Sequence, residues 1–367
     1  MIYLLCFGAS ALFAQLAYKS KAKYAVFIWS AMSIAVTVIL AGLRDYSIGI
    51  DVENYRTFNI YWGKASDTGT LAEYLKFYSR YEKEYLFALL VGVIAQYTGD
   101  FRLFLFICHF VIITGVYIGA YRQRKNVNPA LVMFLFYLYF YSHSLNVMRQ
   151  YMAMAIIFAF VADIQKKRYV RYTIVVLITT LIHSTSFLGL MPMIIYMFMK
   201  NLQYFGAPKR RKRIIVIGIV GMLVLFVPML KILMSFGLFT VFDYYINGDE
   251  KGWPFIVTAF LLVELAAVYI FRKQFRVNSP YGDFFLICSI AYILLQQLGG
   301  LMNYGKRIAG YFSFINILTI ASLARCSKQI DNKIIINGGI IAFSLLYWFY
   351  FYVLQNASQT YPYVLGV

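Results

Sequence analysis

Four stretches of this chain carry residues able to do chemistry, and each adjoins an apolar run. The first, GLRDYSIGIDVENYRTF, opens with Arg44 and Asp45 and continues through Asp51 and Glu53, with Gly42 and Gly49 allowing tight backbone. The second, YSHSLNVMRQYMAMAI, sends Arg149 and Gln150 straight from a short turn into a helix. The third, LIHSTSFLGLMP, places His183 and Ser184 between two apolar runs, and the fourth, QQLGGLMNYGKRIAGYF, supplies Tyr304, Lys306 and Arg307.

Arginine is permanently charged and grips phosphate oxygens through two donors. Arg44, Arg149 and Arg307, with Lys306, therefore point to an anionic ligand at the boundary of the apolar runs, with Gln150, Ser184 and Tyr304 beside them as further polar contacts. An imidazole exchanges a proton near neutral pH, so His183 is a candidate general base or a donor to an anion. Asp45 and Asp51 offer paired charges at the same boundary. Glu264, inside an apolar run, reads as a residue with a structural partner or as a protonated carboxyl. There is no phosphate-binding glycine loop, no dinucleotide fingerprint, no HExxH and no metal-ligand spacing. No cofactor is expected, and the energy for a reaction would have to arrive with the substrate.

The elements that must hold these residues are membrane helices. Of 367 residues, 62% are hydrophobic and 13% charged, against about 25% charged in soluble domains. The apolar residues gather into runs near 1–18, 24–43, 101–121, 130–145, 149–164, 170–183, 186–200, 214–236, 253–271, 284–302, 307–324 and 334–354, most of them long enough to span hydrocarbon as helix. The expected fold is all-α and polytopic, a single integral-membrane domain over 1–367. The net charge of +19 does not indicate nucleic acid: six short loops hold 22 of the 34 cations. These are Lys19–Lys23, Arg122–Lys125, Lys166–Arg171, Lys200–Arg213, Arg272–Arg276 and Arg325–Lys333, all cytoplasmic by the positive-inside rule. All six fall on one face if the short run from Glu84 to Tyr97 does not cross but lies re-entrant or interfacial. That gives about twelve spans, both termini outside, and a large outer loop at 44–100 containing the short helix. The four cysteines read as small packing residues.

The chain resembles the EpsG-like family of Wzy-type polysaccharide polymerases. The resemblance rests on Gly42-Leu43-Arg44 leading through Gly49 and Asp51 to Tyr55 and Phe58, on Glu84 opening the short apolar helix, and on Arg149-Gln150 followed by Ala153 and Ala155. The Lys166-Lys167 turn and Leu181-Ile182-His183-Ser184 complete it, so that it covers roughly residues 1–200. Gly49-Ile50-Asp51-Val52 and Glu84-Tyr85-Leu86-Phe87 depart from the family's more usual Gly-Thr-Asp-Tyr and Glu-Pro-Gly-Phe. The resemblance implies a bacterial inner-membrane enzyme with its active site facing outside. Such an enzyme transfers a growing glycan from undecaprenyl pyrophosphate to a hydroxyl of a new lipid-linked unit. In it the cations would bind the leaving pyrophosphate, and Asp45 or Asp51 would be the alternative to His183 as base for the acceptor hydroxyl. It also implies membrane lipids as surroundings, and a flippase and a chain-length regulator as partners. Four alternatives stand beside it: a glycan ligase, a transferase using polyprenyl-monophosphate sugars with a metal at Asp51-x-Glu53, a transporter of the same lipid-linked units, and a membrane O-acetyltransferase, whose acyl chemistry would not explain several separated arginines. An absence of repeated halves counts against transport.

Overall fold

A computed structural model of the chain describes residues 1–57, 60–202, 208–225, 228–229, 232, 235–236, 254–278, 281–300, 306–327 and 329–366. The chain forms two compact units, Met1–Phe187 with Gln329–Val367, and Leu188–Lys328. The helices of the first part are α1 (Ile2–Lys19), α2 (Lys23–Gly42), α3 (Val52–Thr57), α4 (Trp62–Asp67), α5 (Leu71–Tyr78), α6 (Tyr85–Thr98) and α7 (Phe101–Arg122). Next come α8 (Pro129–Phe136), continued by a π turn into α9 (Ser142–Ser144), then α10 (Met148–Ala159), α11 (Val161–Gln165) and α12 (Tyr169–Thr179). The second unit holds α13 (Met191–Asn201), α14 (Lys209–Val224), α15 (Phe255–Ile270), α16 (Arg272–Asn278), α17 (Gly282–Gln296) and α18 (Lys306–Leu323), after which α19 (Ile330–Trp348) returns to the first.

The structure is all-helical among the described residues, apart from an isolated bridge between Arg44 and Leu365. Among the described residues, five helical stretches are long and apolar enough to cross a membrane: Ile2–Lys19, Lys23–Gly42, Phe101–Arg122, Gly282–Gly300 and Asp331–Leu354. Other expected spans are interrupted. The 130–145 run is broken by the π turn, the 149–164 run at Phe160, and the 186–200 run begins as 3-10 helix. Part of the 214–236 run lies outside the described residues. Large apolar side chains such as Phe27, Ile174, Leu177, Leu262 and Val263 point outward from their helices, the pattern of surfaces that face lipid. In the second unit, buried Glu264 accepts a hydrogen bond from Asn316 Nδ2 at 3.0 Å.

Polar pairs and small residues bring the helices of the first unit together. Ser10 and Ser33 exchange hydroxyl-to-carbonyl hydrogen bonds between α1 and α2, at 2.6 and 2.9 Å. Gly115 and Gly119 form a small-xxx-small stripe on α7. A Cβ at Gly115 would lie 2.7 Å from the backbone of Ala155, so only glycine lets α10 approach this closely. Gly115 faces Ala155 and Gly119 faces Phe158, which makes α7 and α10 parallel. Arg122 at the end of α7 accordingly meets Asp163 just beyond α10, at 2.5 Å. Asn128 Nδ2 donates to Gln15 Oε1 at 2.8 Å, placing the Lys19–Lys23, Arg122–Lys125 and Lys166–Arg171 loops at one end of this unit.

Arg44 lies at the opposite end, fully buried. Its guanidinium donates to the carbonyls of Ala41 at 2.6 Å and Leu145 at 3.1 Å. These belong to the C-terminal turn of α2 and to the C-cap of α9, where helix carbonyls have no partner of their own and the helix dipole is negative. The chain after α19 folds over this capped junction. The amide of Asp45 donates to Val364 O, that of Gly366 to Leu43 O, and that of Gly49 to Gln359 O. Asn146 Nδ2 donates to Ser358 O at 2.9 Å. Gly49, at φ 103°, holds a conformation that side chains disfavour, and a Cβ there would meet Asn146 Oδ1 at 2.5 Å.

Each charge-assisted hydrogen bond of this kind contributes about 1.5–3 kcal/mol. Arg44→Met should lower the thermal midpoint in nanodiscs markedly, whereas Asp45→Asn, on the neighbouring accessible residue, should shift it little. Equal midpoints for Arg44→Met and wild type would contradict the capping role.

Candidate functional site

At the same end of the first unit a second arginine sits in different surroundings. Residues 79–84 lead out of α5 and bring Glu84 to the N-cap of α6. Its side chain makes no cap bond with its own helix. It reaches across to the 183–184 turn, where Oε1 accepts from His183 Nδ1 at 3.1 Å and from the Ser184 amide at 2.7 Å. Its other oxygen pairs with Arg149 Nη1 in the first turn of α10. Glu82 adds a second carboxylate 3.7 Å from the same guanidinium nitrogen. The rings of Tyr61 and Phe87 lie under the guanidinium, 5.0 and 5.5 Å from its carbon to their centroids. Glu84 is 2% exposed, while the Arg149 side chain keeps 18% of its surface accessible. The carboxylate is thus shut in and the cation retains an open edge.

Burial alone would raise the Glu84 pKa. The His183 hydrogen bond, the Arg149 charge and the Ser184 amide outweigh it and hold the carboxyl at about 2. Glu82, lacking such donors, is pushed upward by burial despite its arginine. An ionised carboxylate only accepts hydrogen bonds, so Nδ1 of His183 carries the proton in this contact and the neutral ring has its lone pair on Nε2. This carboxylate–histidine pairing fixes tautomer and ring orientation, the role that a triad's acid plays. Among the described residues no three His, Cys, Asp or Glu side chains are grouped to hold a metal ion.

Helix α6 reaches this cluster without crossing the unit. Its first turn donates from Leu86 N–H to Leu181 O, at the end of α12. At its other end the left-handed Gly99 turns the chain into α7, whose Phe104 packs against Phe87 at 5.9 Å. Both ends of α6 therefore lie at the end of the unit that carries Arg149 and His183.

The model of the EpsG family matches residues 27–365. The chain belongs to the EpsG family. The match runs through the second half of the chain as well, beyond the residues 1–200 that carry the sequence motifs. No curated protein and no solved structure matches it. EpsG is a Wzy-like polysaccharide polymerase family, and the long apolar helices agree with a multi-pass membrane protein of that type.

Of the residues singled out in this EpsG-family sequence, Arg149, His183 and Ser184 converge, Ser184 through its backbone amide. Gln150 follows Arg149 and is buried. Arg44 does not join them, since its donors face helix carbonyls. Asp45 accepts from the Ser47 hydroxyl at 2.6 Å and the Ser47 amide at 2.9 Å, bonds that lower its pKa. Asp51 is half-buried ahead of α3, its amide 3.5 Å from Asn146 Oδ1. Lys306 and Arg307 open α18 in the second unit, and Tyr304 lies outside the described residues. The residue missed was Glu84. Its signal was an acidic side chain at the head of a 14-residue apolar helix, where an unpaired carboxylate would be costly.

Removing one member of a buried ion pair costs about 3–5 kcal/mol because the other charge is left uncompensated. Glu84→Gln should destabilise the protein, and Glu84→Gln with Arg149→Met should restore part of that loss, an interaction read by a double-mutant cycle. A carboxyl with a depressed folded-state pKa stabilises the fold above its unfolded value near 4.5, and the contribution fades as pH falls toward 2. The stability gap between wild type and Glu84→Gln should narrow as pH falls from 4.5 toward 2. Additive single-mutant effects would refute the pairing.

Proposed function

We propose that this EpsG-family protein is a polysaccharide polymerase that joins undecaprenyl-pyrophosphate-linked oligosaccharide repeat units at the outer face of the bacterial cytoplasmic membrane. The observation that carries the proposal is the convergence of His183, Glu84 and Arg149 from three distant segments at one end of the first unit. The orientation is supported by the basic loops at the other end of that unit, which the positive-inside rule assigns to the cytoplasm.

In this reading the acceptor hydroxyl gives its proton to His183 Nε2 as its oxygen bonds to C1 of the growing glycan. The bond from C1 to the pyrophosphate oxygen breaks, and undecaprenyl pyrophosphate leaves with the electron pair. Glu84 holds the imidazole in the required tautomer and stabilises the imidazolium that forms. Arg149 presents its accessible edge to the leaving pyrophosphate, with charge-assisted hydrogen bonds that strengthen as negative charge develops. Glu82 and Glu84 keep the guanidinium aimed before substrate arrives, and the rings of Tyr61 and Phe87 limit its swing. The cation that neutralises the leaving group is the protein's own, so no metal is assigned a role.

Purified protein reconstituted with its lipid-linked repeat unit should give a glycan ladder, with or without EDTA. His183→Ala should cut the rate at least 100-fold at matched thermal stability, as loss of a general base does. Arg149→Lys should rescue Arg149→Ala poorly, because a point charge does not replace a two-donor fork. Full-length ladders from folded His183→Ala protein would overturn the assignment. A ladder abolished by EDTA would favour a metal-assisted transferase.

A further inference from the structure

Two carboxylates reach Arg149, and they hold it differently. Glu84 is 2% exposed, and its oxygens are filled by the guanidinium, the His183 ring and the Ser184 amide. Glu82 meets the same Nη1 at 3.7 Å, outside hydrogen-bonding distance, and 31% of its side-chain surface is accessible. It stands in the irregular segment between α5 and α6, with exposed Tyr81 and Lys83 on either side. Glu84 is thus built into the fold, whereas Glu82 lies loosely against the cation.

A ligand must contend with this second carboxylate. With both acids ionised, one guanidinium faces two negative charges. A pyrophosphate at the accessible edge of Arg149 gains the cation but meets Glu82, and like charges so close oppose binding. Glu84 cannot give way. Its carboxyl is held at about 2, and its departure would strand a guanidinium, an imidazole and a backbone amide. Tyr61 and Tyr78, the phenols that face Glu82, are pushed upward by burial and stay neutral. Glu82 is left as the acid that can accept a proton, since burial favours its neutral form and its contact with Arg149 is long.

We propose that Glu82 is an exchangeable counter-ion: it covers Arg149 while the site is empty and gives way, taking up a proton, when pyrophosphate arrives. The proton comes from solvent, and the neutral carboxyl that results can donate to a phosphate oxygen. When the leaving group departs, the proton returns to solvent and the restored carboxylate recovers Arg149, which favours release over rebinding. Glu82 is a positioning residue in this scheme, because it acts through Arg149. The inference rests on the polymerase reading for the identity of the anion, and adds to it a proton coupled to each binding event. Binding prefers the protonated carboxyl, so affinity is high at low pH and falls as pH rises through the Glu82 titration.

The test uses the full chain in nanodiscs. The probe is farnesyl pyrophosphoryl glucose, a diester whose two charges do not titrate in the range used. Its affinity for wild type should fall about tenfold or more between about pH 5 and about pH 8. Glu82→Gln should bind it independently of pH, and about tenfold or more tighter than wild type at the alkaline end. Glu82→Ala should behave likewise. Glu82→Asp, which keeps a carboxylate, should keep the slope. So should His183→Gln, which removes the neighbouring group that titrates near neutrality. A slope that persists without the Glu82 carboxylate, or that disappears in His183→Gln, would overturn the counter-ion, as would wild type that does not bind the probe. A glycan ladder from wild type whose probe binding is flat across pH would reject the counter-ion and keep the polymerase. The expected slopes in protein that makes no ladder from its lipid-linked repeat unit would keep the counter-ion and reject the polymerase chemistry.

Discussion

A carboxylate removed from water must be surrounded by donors, and Glu84 is the carboxylate around which this end of the protein is arranged. Its two oxygens are filled by a guanidinium, an imidazole and a backbone amide, which arrive from α10 and from the turn after α12. An isolated ion at this burial would cost several kcal/mol, so the three segments are held in register by the penalty of separating them. The short apolar helix follows from the same requirement. Its head is fastened to the Leu181 carbonyl and its tail turns at once into α7, leaving it no route across the unit.

The two arginines at this end show how one residue type serves opposite purposes. Arg44 is enclosed and spends its donors on helix-terminal carbonyls, so it fixes where α2 and α9 stop. The irregular tail at 356–366 then folds over it. Arg149 is held by carboxylates and flanked by aromatic rings, yet keeps an accessible edge. Arg44 is enclosed and donates to two helix-terminal carbonyls, whereas Arg149 is oriented by its carboxylates but not enclosed. Backbone approach at Gly115 supports this arrangement from a distance, since α10 delivers Arg149 only as deeply as α7 allows.

Much of this was legible in the residue order. Apolar runs gave the helices, the three basic loops of the first unit fall at one end of it, and the shortness of 84–97 marked a segment that does not fit the count. Arg149 and His183 stood out because each enters or leaves a helix beside a polar turn. The pairing that joins them was not legible. Glu84 and His183 are 99 positions apart, and period and propensity carry no information about which turns meet. In sequence Arg44 is another cation at a helix end, and its contacts with the carbonyls of Ala41 and Leu145 were not legible there. The expected spans at 130–145 and 149–164 read as unbroken because a π turn and a break at Phe160 leave hydropathy unchanged.

The hydrogen bond from His183 to Glu84 is the most direct point at which to test this account. Solid-state nitrogen NMR of histidine-labelled protein in lipid, with the His183 signals identified by their loss in His183→Ala, reports which ring nitrogen holds the proton. The account predicts a proton on Nδ1 in a hydrogen bond to a carboxylate, and a clear change in that signal in Glu84→Gln. A ring protonated only on Nε2, or a His183 spectrum indifferent to Glu84→Gln, would contradict it.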